Sequence, residues 1–143
     1  MTARQIKFRV WDATHKKMHY KVLIGNTFDK ENYTAHSVYI MPNDVDYEVP
    51  ESGQWMNFDE NSDMHIMQFT GLIDKNGKEI YEGDIRFAKY FCGEDEVISY
   101  NTMEWSNGSE GAGFFWEGEE IPHWADRGVI GNIYENPELL KTK

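Results

Sequence analysis

A lone cysteine, Cys92, rules out an intramolecular disulfide. No window approaches the roughly 18 apolar residues a membrane helix requires, so no membrane span is expected. The opening residues MTARQIKFRV lack the apolar stretch of a signal peptide. The cytosol is the expected compartment. Basic side chains are missing altogether between Lys89 and Arg127, while Glu94, Asp95, Glu96, Glu104, Glu110, Glu117, Glu119, Glu120 and Asp126 accumulate there. Binding to a nucleic-acid backbone needs clustered cations to displace counterions, so this half of the chain disfavours it. Prolines number only four and no segment is of low complexity.

What is present is aromatic. Eight Phe, eight Tyr and five Trp in 143 residues exclude a disordered chain and favour strands, where large flat side chains pack well. The length suits one core, or a small domain with an extension. Charge is uneven. Residues 1–30 carry seven Lys or Arg against two acids, a balance of +5, which leaves −16 for the remainder of a chain whose total is −11. An acidic surface commonly serves solubility. It also suits a basic partner.

The chain is organised around Thr70 to Ile85, TGLIDKNGKEIYEGDI. Asp74-Lys75-Asn76-Gly77 sits between two apolar runs, and Asn and Gly accept the positive backbone dihedrals of a tight hairpin turn. Glu82-Gly83-Asp84 predicts a second reversal. Alternation of apolar and charged residues from Ile6 to Trp11, resumed from Met18 to Ile24, predicts an N-terminal hairpin burying Ile6, Phe8 and Val10 with Met18 or Tyr20 and Val22. Residues 26–63 are the least organised, with short strands suggested at 36–41 and 54–58. Further strands are expected at 64–69, 84–91, 96–105, 113–116 and 128–134, with Gly131 marking a bulge and Ser106–Gly113 forming a connection. Asn136-Pro137-Glu138 predicts a capped helical turn at the end. Five short strands with tight turns make a small closed or half-closed barrel. The division expected is 1–63, a β-hairpin with an irregular extension, and 64–143, the barrel and its closing turn.

Three stretches, IKFRVWDATHKKM, MQFTGLIDKNGKEIYEGDI and VIGNIYENPELL, resemble in order and spacing the YopX family of phage and prophage proteins. The resemblance implies an all-β chain with an SH3-like small barrel in the C-terminal half, a phage or prophage origin in a bacterial host cell, and no assigned activity. Its motif residues are glycines, turn formers and apolar strand positions, which indicates a shared scaffold and carries no shared reaction.

Candidate chemistry is sparse. His15 and His19 lie four apart in a turn and a strand, where that spacing does not place both on one face. His36, His65 and His123 are isolated. Neither Asp44, Asp46 and Glu48 nor the Asp74 turn keeps the ligand positions of a calcium loop. No metal or cofactor is expected. Cys92 is followed by acids, a setting that does not suit a reactive thiol. The glycine-rich Asn107–Gly113 lacks the strand-to-helix context of a phosphate loop. Glu117, Glu119 and Glu120 near tryptophans could form a carboxylate pair, but acids and tryptophans are abundant throughout, and no enzyme is expected.

Two function classes remain. In the first the chain is a non-catalytic module that binds a host or phage protein, basic in character, through an acidic aromatic surface nominated as Trp105, Trp116, Glu117, Glu119, Glu120 and Trp124. In the second it is a nucleic-acid-associated accessory protein, with Lys7, Arg9, Lys16 and Lys17 of the basic hairpin on phosphates. An aromatic-rich edge is also compatible with self-association into a homo-oligomer.

Overall fold

The structure, a computed structural model, describes residues 3, 5–26, 36–40, 54–58, 63–109, 111–117 and 126–141. The fold is all-β, with curled antiparallel sheets, and its strands fall into two compact units, Lys7–Gln68 and Phe69–Lys143 with Met1–Ile6.

In the first unit, β1 (Phe8–Asp12) lies between β2 (Lys17–His19) and the first half of β6 (Met64–Ile73). Beside it, β3 (Val22–Asn26), β4 (His36–Ile40) and β5 (Gln54–Phe58) pair in order. Val10, Ile40 and Met64 are buried together, with Val22, Ile24 and Ile66 against them. The expected hairpin forms between β1 and β2, but its burial differs from the alternation. Ile6 is 68% exposed and Tyr20 59%, whereas Val10, Trp11, Asp12 and even Arg9 are buried. A central strand covered on both sides hides alternate residues of either parity, so a period-two pattern does not report which face is wet. Buried Asp12 is held by its own turn: His15 donates its backbone N–H to Asp12 Oδ1 at 3.0 Å, and His15 Nδ1 lies 2.7 Å from Oδ2. Ala13 N–H donates to the Asp63 carbonyl at 2.8 Å, which ties that turn to the entry of β6.

In the second unit, the last residues of β6 pair with β7 (Glu79–Tyr81), and β10 (Gly111–Glu117), β9 (Asp95–Gly108), β8 (Asp84–Cys92) and β11 (Asp126–Asn132) form a four-stranded antiparallel sheet in that order. The Asp74–Gly77 turn is made as the sequence predicts. Gly77 takes φ +80°, its N–H donates to the Asp74 carbonyl at 3.0 Å, and Asp74 Oδ1 accepts the N–H groups of Asn76 and Lys78 at 2.8 and 2.9 Å. The second reversal does more than turn the chain. Gly83, at φ +82°, donates to the Met103 carbonyl at 2.7 Å and accepts the Ile133 N–H at 2.9 Å, so one glycine joins β9 to the residues following β11. The backbone N–H of Tyr81 donates to buried Asp84 Oδ2 at 2.8 Å.

Two expectations are corrected here. Ser106–Gly113 is not a connection: β9 continues to Gly108 and β10 starts at Gly111, with Ser106 opposite Gly113 and Asn107 opposite Ala112. The ladder uses backbone groups, so small polar residues need not end it. Asn136 precedes the 3-10 turn Pro137–Leu140 but makes no side-chain cap. Its Oδ1 instead accepts the Asn132 N–H at 3.3 Å. The bulge foreseen at Gly131 is present as a register shift between Val129 and Gly131.

Candidate functional site

Along β9, Ser99, Asn101 and Met103 are buried while Ile98 is 52% exposed, so this strand keeps the alternation that β1 loses. Register then fixes which side chains share the inner face. Ala88 stands opposite Ser99, Arg86 opposite Asn101, Trp116 opposite Met103 and Phe114 opposite Trp105. On the other side of β8, Val129 pairs with Arg86 and Arg127 with Ala88. Ile80, Met103 and Val129 form the core beneath, with Phe114 and Trp116 against it.

On this face lies a cleft of about 430 Å³ whose apolar walls include Ile73, Ile80 and Val129. Arg86, Arg127 and Lys75 also line it, from β8, β11 and the turn after β6. The Arg86 guanidinium stacks on Trp116, 4.6 Å from the ring centre, and donates from Nη2 to Asn101 Oδ1 at 3.2 Å. Its Nε is buried and has no acceptor among the described residues, and the same holds for Asn101 Nδ2. Burial, and then the like charge of Arg127, push the Arg86 pKa down to about 10, which leaves the group charged at neutral pH.

Asp74 is the cleft's acid among the described residues, and it is occupied. Besides the two N–H groups of its own turn, its Oδ2 accepts the Val129 N–H at 3.1 Å. Burial pushes its carboxyl up, but the three backbone donors and the Lys78 charge outweigh this and hold it below the ordinary carboxylate value. Asp74 is therefore a clamp between the hairpin turn and β11. Three of the roughly four acceptor sites of a carboxylate are taken up in this way by backbone donors.

Of the nominated protein-binding residues, Trp105 and Trp116 share the inner face. Trp105 is 53% exposed and meets Phe114 edge-on at 5.1 Å, while Trp116 is half-buried under Arg86. Glu117 is exposed on the opposite face of β10, one residue beyond Trp116. Glu119, Glu120 and Trp124 lie outside the described residues. Among the nominated phosphate contacts, Lys16 is exposed at φ +55°, Lys7 and Lys17 are half-buried, and Arg9 is buried with Nη2 3.5 Å from Met67 Sδ. Of these four, Arg9 is withdrawn from the surface by its burial. Sequence reasoning missed Arg86, Arg127 and Lys75. They are far apart in the chain, and the one available signal was an arginine inside the apolar strand Ile85–Ala88.

Cys92 is exposed at the end of β8. Among the described residues no three His, Cys, Asp or Glu side chains are arranged to hold a metal, and no helix is long and apolar enough to cross a membrane.

Comparison with known proteins identifies a family and a similar solved structure. The model of a family described as YopX protein matches residues 7–141. The crystal structure of protein EF1440 from Enterococcus faecalis is similar at 29% sequence identity and a TM-score of 0.60, over 96% of this chain and 99% of that one. A search of curated proteins finds no match.

Proposed function

The chain belongs to the YopX family, and for this member we propose a phage or prophage protein that works in the bacterial cytoplasm by binding another protein, without catalysis. The observation that carries the reading is Trp105. A tryptophan more than half exposed, braced by Phe114 on the same face as buried Asn101 and Met103, contributes less to folding than its size allows. Aromatic residues of this kind anchor protein interfaces, with large contact area at low conformational cost. Trp116 and the cleft beside it extend the same face. The cations lining that cleft favour an acidic group over a basic one at this point of contact.

A reaction finds little support, since the acid of the cleft, Asp74, is engaged by three backbone donors that hold the turn to β11. A nucleic-acid role through the N-terminal hairpin is weakened by the burial of Arg9.

The test is affinity capture of the tagged protein from lysate of an infected or lysogenic host, at low and high salt, beside its Trp105→Ala variant. A stoichiometric protein retained by the parent and lost by the variant supports the reading. A parent that recovers nothing but copies of itself at either salt sinks it.

A further inference from the structure

β10 is one edge of its four-stranded sheet: β9 pairs with it on one side, and no strand of the described residues pairs with it on the other. An edge presents a row of N–H and C=O groups ready to pair, and soluble proteins blunt it with lysine, proline, bulges or inward charges. The opposite edge of this sheet is blunted in that way. β11 opens on Asp126 and Arg127 and shifts register between Val129 and Gly131. β10 has none of these devices. Its seven residues, Gly-Ala-Gly-Phe-Phe-Trp-Glu, hold no proline and no cation, carry their one charge at the last position, Glu117, and run in unbroken register against β9. Large rings lie beside this edge in partial contact with solvent: Phe115 is 39% exposed and Trp105, on the neighbouring strand, 53%.

We infer that β10 pairs antiparallel with β10 of a second copy of this chain, joining two four-stranded sheets into one. The pairing is independent of the protein-binding reading above, which concerns a different protein. What selects a second copy is the order of the side chains. A two-fold axis normal to the sheet keeps each face, so even positions oppose even ones and odd positions oppose odd ones. Centred on Phe114, the pairing uses all seven residues and sets Trp116 opposite the second copy's Ala112, Phe115 opposite its Gly113 and Glu117 opposite its Gly111. The small half of the strand thus receives the large half, and Phe114 alone meets its equal. The two Glu117 carboxylates fall at opposite ends of the pair, about 20 Å apart and beyond a Debye length of about 8–10 Å. On the inner face Trp105 stands opposite Phe114 in each copy, so the rings of both copies form one row across the junction. The exposed parts of Trp105 and Phe115 with the outward backbone of β10 come to roughly 400–500 Å² per copy, so the pair buries on the order of 1,000 Å², the low end for a specific interface. A dimer of that size dissociates at about micromolar concentration.

The experiment uses the purified full-length protein, alone, in sedimentation equilibrium over about 1–500 μM. A monomer–dimer equilibrium is expected, weakened at least about tenfold by Phe115→Asp and unchanged by Ile130→Asp, a replacement of similar exposure on the other edge. Register is read by cysteine cross-linking in a Cys92→Ala background. A Cβ at Gly113 meets the Phe115 ring at 3.4 Å, an ordinary contact, so Gly113→Cys is tolerated. Gly113→Cys and Phe115→Cys chains, mixed and mildly oxidised, should join to one another, because their α-carbons oppose at about 5.5 Å or less. Neither variant alone should do so, since each position lies about 8 Å from its own copy. A protein that stays monomeric over the whole range overturns the inference, as does a dimer that Phe115→Asp leaves intact or that Ile130→Asp weakens equally. Cross-linking of either cysteine variant with itself, but not with the other, overturns it too. A monomeric protein whose captured partner is lost in Phe115→Asp gives the edge to a strand of that other protein, so the inference falls while the protein-binding reading stands. A dimer cross-linked in the expected register that captures no other protein has the reverse meaning.

Discussion

The Arg86 guanidinium carbon lies 4.6 Å from the centre of the Trp116 ring, although β9 runs between the strands that carry them. Two long side chains reach each other diagonally because the sheet is curled and both stand on its inner face. The contact contributes about 0.5–2 kcal/mol in a partly desolvated setting. Against it stand the burial of the charge and the repulsion from Arg127, whose combined effect is the lowered pKa of about 10. The arginine is thus poorly explained by stability.

That leads to a first prediction. Arg86→Met, made together with Asn101→Leu so that no amide is stranded, should leave the fold as stable as the parent or up to about 1–2 kcal/mol more so, because a desolvated charge is replaced by apolar packing. Chemical denaturation of the two proteins decides it. A loss of more than about 2 kcal/mol would mean that Arg86 is a structural element of the sheet.

Asp74 ties the β6–β7 turn to β11 through the Val129 N–H. Asp74→Ala should cost about 1.5–3 kcal/mol, the range for hydrogen bonds to a charged acceptor. The pH dependence follows from the direction of its shift. The folded-state carboxyl titrates below its ordinary value of 3.8, so its contribution is complete above that value and is lost as the pH falls through the lowered one. Denaturation measured from neutral pH downward should therefore show the difference between parent and variant constant at first, then narrowing below about pH 4. A difference that widens on acidification would refute the assignment.

Gly131 sits where a Cβ would come within 2.7 Å of Asn136 Cγ, and the Asn136 side chain is itself engaged with the Asn132 N–H. Gly131→Ala should destabilise the protein by about 1–3 kcal/mol, the usual effect of overpacking a fixed site. Gly131→Ala combined with Asn136→Gly removes the overlap and should recover part of the loss. Thermal unfolding of the single and double variants measures it, and strictly additive losses would show that the two residues do not interact.

Trp105→Ala should cost only about 0.5–1.5 kcal/mol, the worth of its edge-on contact with Phe114, since more than half of its surface already faces solvent. Its effect on partner capture should be far larger. A stability loss of about 3–5 kcal/mol, the cost of truncating a core tryptophan, would place this ring in the fold rather than in an interface.

The sequence by itself determined the local geometry of this protein. Gly77 and Gly83 sit at positive φ in two reversals that Asn-Gly and Glu-Gly-Asp announce, and Gly131 marks a bulge that an apolar strand interrupted by glycine implies. The all-β class and the family were equally legible, because turn formers and apolar alternation are written in neighbouring residues. Tertiary structure decided the rest. Arg9 and Arg86 are both arginines flanked by apolar neighbours in alternating strands, yet one is buried beside Met67 and the other stacks on Trp116 in a cleft. Strand order and register make that difference, since they set what stands opposite each residue. Arg86, Asn101, Trp116 and Arg127 span 42 positions and meet only once β8, β9, β10 and β11 have paired. Local propensity contains no information about such pairings, and for that reason the cleft had to be found in the fold.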